Sequence, residues 1–429
     1  MADLFVVPRF TGAQLGTKDN PMVAATSADF DALMRAHADV EDLAVHLSDG
    51  IFRTAGTREW GDTNVVADNP GFRAGRQWTF DIAADSTLEW DVDAVPDDQV
   101  SDIPIHLIMS TEARFDSRLN LHTPEEVWAL QPRGQAVRGG TLDLQFSRAV
   151  DRWRAKGKML RIGAVALAGH QAAIEGVHVT NYGAYKYEGF PLYIQGAYGM
   201  YDRNLIAELD PATHIFDADL PDEQCSHITD CLADGYVELS DVGDQVTVNA
   251  IMGSIGERTP GEWRTSYRAY CYQTGNRTVA SGSNAVQGHT VYQSLRALVE
   301  KNKTEGAQVG YYGDFYKTKG VVIQGNEFGT EAAPCYYGIQ LLLSPVAAGM
   351  GNAADDFSHE DYVIGPNKIV SRSANVKLDT LGPTTATRYI RNIATDASLS
   401  LDNRGATGVT RTGLPPATAR GCNPFGRFF

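Results

Sequence analysis

The chain has no long apolar run, no surplus of positive charge and no ordered cysteine pattern. No stretch approaches the roughly 18 unbroken apolar residues that a membrane-spanning helix needs. The 37 lysines and arginines are outnumbered by 53 aspartates and glutamates, for a net charge of -16. A surface this acidic repels nucleic acid and anionic membranes, so neither is expected as a partner. The five cysteines, Cys225, Cys231, Cys271, Cys335 and Cys422, are odd in number, scattered and without a CxxC. A zinc site is not expected from them; they read as buried apolar thiols, with Cys225 and Cys231 alone close enough to suggest a disulfide. Ten histidines form neither HExxH nor HxH, and there is no P-loop or GxGxxG. Metal-hydrolase, serine-hydrolase and nucleotide-binding readings lose their usual signatures. The start, "MADLFVVPRF", offers neither a basic n-region nor an apolar h-region. It is read as carrying no signal peptide, which leaves a cytoplasmic protein or the mature form of a secreted one.

What the chain does have is glycine, β-branched residues and an echo. Forty-two glycines and 18 prolines punctuate extended apolar segments, which favours turn-rich β structure over helix bundles. "GVVIQGNEFG" (Gly320 to Gly329) resembles "GVHVTNYGAY" from Gly176, "DQVTVNAIMG" from Asp244, "YVIGPNKIV" from Tyr362 and "TRYIRNIAT" from Thr387. Each sets β-branched or aromatic residues in alternation and then places an Asn. Their inner aliphatic residues, Val179, Val248, Ile323, Ile364 and Ile390, recur at near multiples of a unit of roughly 20–26 residues, the range of a solenoid. A stack of short parallel strands needs Val, Ile and Leu inside. At its corners it needs residues that tolerate left-handed backbone, and stacked Asn side chains can bond along the column. The expectation is an all-β parallel β-helix from 27 to 402, preceded by an extended arm (1–26) and followed by a tail (403–429). That tail is expected to pack along the side or to serve assembly. "SADFDALMRAHADVE" (27–41) reads as a capping helix with Ser27 at its N-cap and Phe30, Leu33, Met34 and Val40 on one face. Asp49-Gly50 reads as a turn between two extended runs.

A helix followed by "HLSDGIFRTAG" and an irregular series of strands with Asn corners resembles the pectin lyase-like superfamily of right-handed parallel β-helices. There a short helix precedes a strand written Pro-Gly-x-Tyr; here Ser48 to Phe52 stands in that place without the Pro. The Asp triad with Gly-His-Gly of polygalacturonases and the Asp-rich calcium site of pectate lyases are both missing. "LDTLGPTTATRYI" (Leu378 to Ile390) and "DGYVELSD" (Asp234 to Asp241) are similar to segments of inulin fructotransferases, trimeric β-helices that cyclise a fructan product. That likeness implies an acidic pair on adjacent turns, with Asp219 or Glu223 partnering Asp234, and a homotrimer.

Three long loops read as candidate sites. "IFDADLPDEQCSHITDCLADGYVELSD" (Ile215 to Asp241) concentrates carboxylates, with Asp219, Glu223, Asp230 and Asp234 as catalytic candidates. Paired carboxylates divide into acid and base, or acid and nucleophile. They could equally hold Ca²⁺, or form a solvated acidic loop. "VGYYGDFYKTKG" (Val309 to Gly320) offers Tyr312, Asp314, Tyr316 and Lys317, either as a face for stacking on sugar rings or as a tyrosine ladder on the flank. "GERTPGEWRTSYRAYCY" (Gly256 to Tyr272) offers Trp263 and Arg268, where arginine could neutralise a uronate. The functional expectation is a carbohydrate-active enzyme cleaving glycosidic bonds with paired carboxylates and needing no cofactor except possible Ca²⁺. A polyuronate lyase, a fructotransferase and a non-catalytic glycan-binding spike or adhesin are the alternatives. The net charge argues for a neutral glycan.

Overall fold

In a computed structural model of the protein, the residues described are 1–58, 71–110, 134–168, 172–182, 184–185, 192–195, 226–229, 232–236, 246–247, 251–253, 258–259, 262–263, 268–281, 286–292, 294–313, 317–343, 358–385 and 388–412. The strands form three long ladders of 13, 9 and 12 strands. Each rung passes from the first sheet through the second to the third. One such rung is Ser294–Glu300, Lys303–Glu305 and Val309–Gly313. The next, Lys317–Gln324, Glu327–Phe328 and Tyr337–Leu342, lies on it in parallel register, pairing Val299 with Ile323, Thr304 with Phe328 and Tyr311 with Ile339. Short connections that return the chain to the next parallel strand take the right-handed sense that strand twist favours. The chain is therefore a right-handed parallel β-helix, as the resemblance implies. Among the described residues, no helix is long and apolar enough to cross a membrane.

Among the described residues the interior is mostly apolar, from Leu4, Val6 and Val45 at one end to Ile364, Leu378 and Ile393 at the other. Its corners carry the device that the echo pointed to. Asn276, Asn302, Asn326 and Asn367 stack as a ladder. Each of the first three donates its backbone N–H and its Nδ2 to the Oδ1 of the next, at 2.9–3.1 Å. The Nδ2 groups of Asn302, Asn326 and Asn367 also donate to the carbonyls of Gln273, Val299 and Ile323. The left-handed residue is the one before the Asn: Gly275 (φ 71°), Lys301 (φ 55°) and Gly325 (φ 63°). Two of the echoes, at Asn326 and Asn367, mark this column. Ile323 and Ile364 are register partners, whereas Ile390 faces His359 and Val179 belongs to the second sheet. Val248 lies outside the described residues.

The ends differ from the expectation. Ala2–Val7 is no free arm, because it pairs in parallel with Leu43–Leu47, turning Leu4 and Val6 inward. At the other end the stack runs on past 402, through Leu401–Arg404 and Thr410–Thr412. Helix α1 spans Ser27–Ala36 and its N-cap is Thr26, not Ser27. The Thr26 hydroxyl accepts from the Asp29 N–H while the Asp29 carboxylate accepts from the Thr26 N–H, a capping box. Ser27 turns instead to Asp91, at 2.6 Å. The helix stops short of Glu41: its end tightens to three-residue bonds, His37 N–H to the Met34 carbonyl and Ala38 N–H to that of Arg35, while the His37 ring takes the Leu33 carbonyl at 2.8 Å. The carbonyls of Val40 and Glu41 go to the Trp78 indole N–H and the Gln77 N–H. Phe30, wholly buried, packs against Phe52 and Phe72 with ring centroids 6.0 and 5.6 Å away.

A second helix, α2 (Phe146–Ala155), interrupts a rung between its second and third strands. Phe146, Ala149, Val150 and Trp153 form its buried stripe, and Trp153 meets Trp90 edge-on at 5.4 Å. Its Arg148 and Arg152 pair with Asp93 and Asp97 in the segment after Trp90. The pairing holds the Asp97 carboxyl below its ordinary range, through the Arg152 hydrogen bond first.

Candidate functional site

In a solenoid the inside is filled, so chemistry belongs to the outward side chains, which stack across rungs in register. On the outer face of the first sheet, register aligns Phe5, His46, Asp81, Arg138 and Glu175 in one column. Each comes from a different rung, and together they make a continuous chain of contacts. His46 Nε2 lies 3.0 Å from an Asp3 carboxylate oxygen, and its Nδ1 lies 3.5 Å from Asp81. Arg138 reaches Asp81 at 3.6 Å and donates through Nε to Glu175 at 2.6 Å. The Phe5 ring stacks on the His46 imidazole, 4.4 Å between centroids and 17° from parallel, which fixes the plane of the imidazole.

This column floors a cleft of about 650 Å³. One wall is the loop after Ala2–Val7, contributing Arg9, Phe10, Lys18 and Asp19; the other is the corner at Ser48 and Asp49. The loop is held by backbone bonds from Phe5 N–H to the Gly16 carbonyl and from Leu15 N–H to that of Asn20, both 2.9 Å. A side-chain tie adds to these, from the Val23 N–H to Gln14 Oε1 at 3.1 Å. Gly16 sits at φ 74°, a left-handed conformation that a β-carbon would strain. Asp49 (φ 67°) makes the opposite corner, as its sequence suggests. Among the lysines and arginines whose side chains are described, only Arg9, Lys18 and Arg372 have neither an ion pair nor a side-chain hydrogen bond, and the first two line this cleft. Arg9, Lys18 and Arg138 face Asp19, Asp49 and Asp81 there, so the cleft is balanced in charge within a chain of net charge -16, and its two unpaired cations can hold an anionic group.

The carboxylate and aromatic candidates stand elsewhere. Asp219, Glu223, Asp230, Asp314 and Tyr316 lie outside the described residues. Asp234 is on Leu232–Tyr236 of the second sheet, paired with Val279. Trp263 pairs with Arg258 in a two-stranded ribbon. Arg268 opens Arg268–Thr274, opposite Ser294, and Lys317 opens Lys317–Gln324, opposite Ser358. Tyr312 corrects the expectation of an open stacking face. It sits between Thr290 and Gln340 in register but keeps only 4% of its surface exposed, because Val309–Gly313 is buried on both faces. Sequence reasoning passed over Phe5, His46, Asp81 and Arg138. None belongs to a local motif, and only the register unites them.

A second polar cluster lies inside the solenoid. The Thr318 hydroxyl meets His359 Nδ1 at 2.7 Å and the Tyr362 hydroxyl at 2.5 Å. Burial pushes His359 down to about 4 and Tyr362 up to about 12. His289, two rungs away and with no hydrogen-bond partner for either ring nitrogen, is pushed down to about 3 by burial. These imidazoles are neutral and sealed from substrate. Cys335 is likewise wholly buried, its thiol pushed up to about 12, which makes it unreactive. Among the described residues, no group of three or more His, Cys, Asp or Glu is arranged to hold a metal.

No family model and no curated protein sequence matches the chain. Solved structures do, at 12–13% identity. A surface adhesin of Streptococcus pneumoniae, PfbA, matches over 92% of each chain with a TM-score of 0.43. The A-module of mannuronan C-5 epimerase AlgE6 from Azotobacter vinelandii matches over 91% of this chain and 95% of its own, with a TM-score of 0.35. The Dettilon tailspike protein matches over 95% of this chain and 68% of its own, with a TM-score of 0.33. Scores of this size carry no argument about activity; the fold rests on the strand ladders themselves.

Proposed function

We propose that the protein binds a carbohydrate along the outer face of its first sheet and acts on it in the cleft around His46. The observation that carries this reading is an imidazole held between Asp3 and Asp81 beneath the unpaired cations Arg9 and Lys18. An acid–base group beside positive charge suits proton abstraction next to a sugar carboxylate. This departs from the expectation of a neutral glycan, because two cations without an ion pair stand in the cleft. Arg9 and Lys18 would neutralise a uronate. His46 would take the proton from C5, the electron pair forming a C4–C5 double bond as the C4–O glycosidic bond breaks. The departing oxygen would take that proton back from the His46 imidazolium, or one from water. Phe5 and Phe10 supply apolar surface for a sugar ring.

The test is incubation with uronate-containing and neutral oligosaccharides, reading ultraviolet absorbance of unsaturated product alongside reducing ends. Unsaturated product lost in His46→Ala, with KM raised by Arg9→Ala or Lys18→Ala, supports the reading. Reducing ends without unsaturation would point to hydrolysis by carboxylates. The complete pairing of Asp3, His46, Asp81, Arg138 and Glu175 favours one other reading, a binding surface without turnover. Saturable binding with neither product would establish it.

A further inference from the structure

The two walls of the cleft belong to two short chain segments that meet again at one buried carboxylate. From the loop of Arg9, Phe10 and Lys18 the chain passes through Met22–Val23, which pairs with Val6 and Val7, and through Ala24, whose N–H donates to the Val7 carbonyl at 3.0 Å. It then enters α1 at Thr26. From the corner of Ser48 and Asp49 the other segment runs through Ile51–Thr54. Asp31 of α1 joins them. Its Oδ1 accepts from the Thr54 hydroxyl at 2.6 Å and its Oδ2 from the Ala55 N–H at 2.9 Å. The side chain is all but sealed, at 1% exposure.

We propose that Asp31 is a proton-sensitive latch that fastens α1 to the first strand of the second sheet and thereby sets how firmly both walls of the cleft are held. The groups facing it decide the sign. Burial outweighs the two hydrogen bonds and the positive charge of Arg35, which lies on the same helix and donates to the Gly71 carbonyl. Asp91, held by Ser27, adds like charge from the segment packed alongside. The carboxyl is thus raised from 3.8 to about 7. A folded value above the unfolded one means the closed latch holds its proton more tightly than the open one. Its contribution is full below pH 3.8 and is lost as pH rises to about 7. Only the consequence for ligand rests on the reading of the cleft as the site; the latch itself does not.

Hydrogen exchange of the full chain, corrected for intrinsic rates, tests the latch without any ligand. Opening of α1 should rise by up to about tenfold per pH unit between pH 4 and 7 and level off above. The loop at 9–21 should follow in the same step. Asp31→Asn should flatten the profile. Thr54→Val, which keeps the carboxyl but removes a bond that lowers its pKa, should move the step to higher pH. A flat wild-type profile overturns the proposal. So does an unchanged step in Asp31→Asn, or in Thr54→Val should the first variant fail to fold. A step confined to α1, with the loop unaffected, overturns the coupling to the cleft.

Discussion

Replacing Asn302 by alanine removes four buried hydrogen bonds at once. Its Oδ1 accepts from the Asn276 N–H and Nδ2, both at 3.0 Å, and its Nδ2 donates to the Gln273 carbonyl at 3.0 Å and to Asn326 Oδ1 at 3.1 Å. At a net value of about 1 kcal/mol each, the loss is about 4 kcal/mol, near the top of the range for single substitutions. The reason it should be so large is that water cannot replace the lost partners: Asn276 and Asn302 are each 1% exposed or less. Asn403→Ala is the control, since Asn403 bonds only to Ala406 at an exposed corner, and it should cost about 0.5 kcal/mol. Urea unfolding of both variants, read by circular dichroism, gives the comparison. A solenoid can lose its rungs in separate steps, so amide exchange at Asn276 and Lys303 should accompany it. An Asn302→Ala loss under about 1 kcal/mol, or one equal to the control, would refute the claim that the ladder holds the corners.

Other consequences can be measured in the same way. Because burial lowers His289 to about 3 and His359 to about 4 from 6.5, the unfolded chain binds their protons first, so stability is full above pH 6.5 and falls below it. By pH 5 each should cost about 2 kcal/mol; measured in an Asp31→Asn background, which removes the opposite titration of that carboxyl, His289→Met should halve the fall, and a midpoint equal at pH 7 and pH 5 would contradict the burial of both rings. Lys301 occupies a left-handed corner where its neighbours in the column are glycines, so Lys301→Gly should gain about 0.5 kcal/mol by thermal unfolding, and a loss would show the strain is absent. His46→Ala should abolish turnover, whereas Asp230→Asn and Asp234→Asn should retain it; an orders-of-magnitude loss in either carboxylate variant, with folding intact, would move the site to the acidic loop.

The fold was legible because a solenoid repeats its instructions. Asn326 and Asn367 each follow an alternating apolar run, so the local pattern that builds one corner is enough to reveal the architecture. Even there the reading was partial. Asn276 and Asn302 carry the same ladder from "TGNRT" and "EKNKT", where the flanking residues are polar and the echo is faint. Helix α2 was passed over although Phe146, Ala149, Val150 and Trp153 have helical spacing, because it is a single short insertion inside a rung, between Thr141–Asp143 and Leu160–Ala168. Ala2–Val7 was passed over as a strand because no turn separates it from the arm-like loop that follows.

The cleft was illegible for the opposite reason: its groups do not repeat. Asp3, His46, Asp81, Arg138 and Glu175 come from five successive strands of one sheet, each an isolated charge among apolar neighbours. What brings them within 4 Å of one another is the register, and the register is set by inward residues such as Val45, Phe80, Val137 and Ile174. A one-residue slip in any of these strands would turn its charge inward and its apolar residues out. The apolar interior is thus the element that assembles the polar face. The acidic loop attracted notice because its charges are adjacent in sequence; adjacency across rungs, which sequence alone does not display, is what makes a site on a stacked sheet.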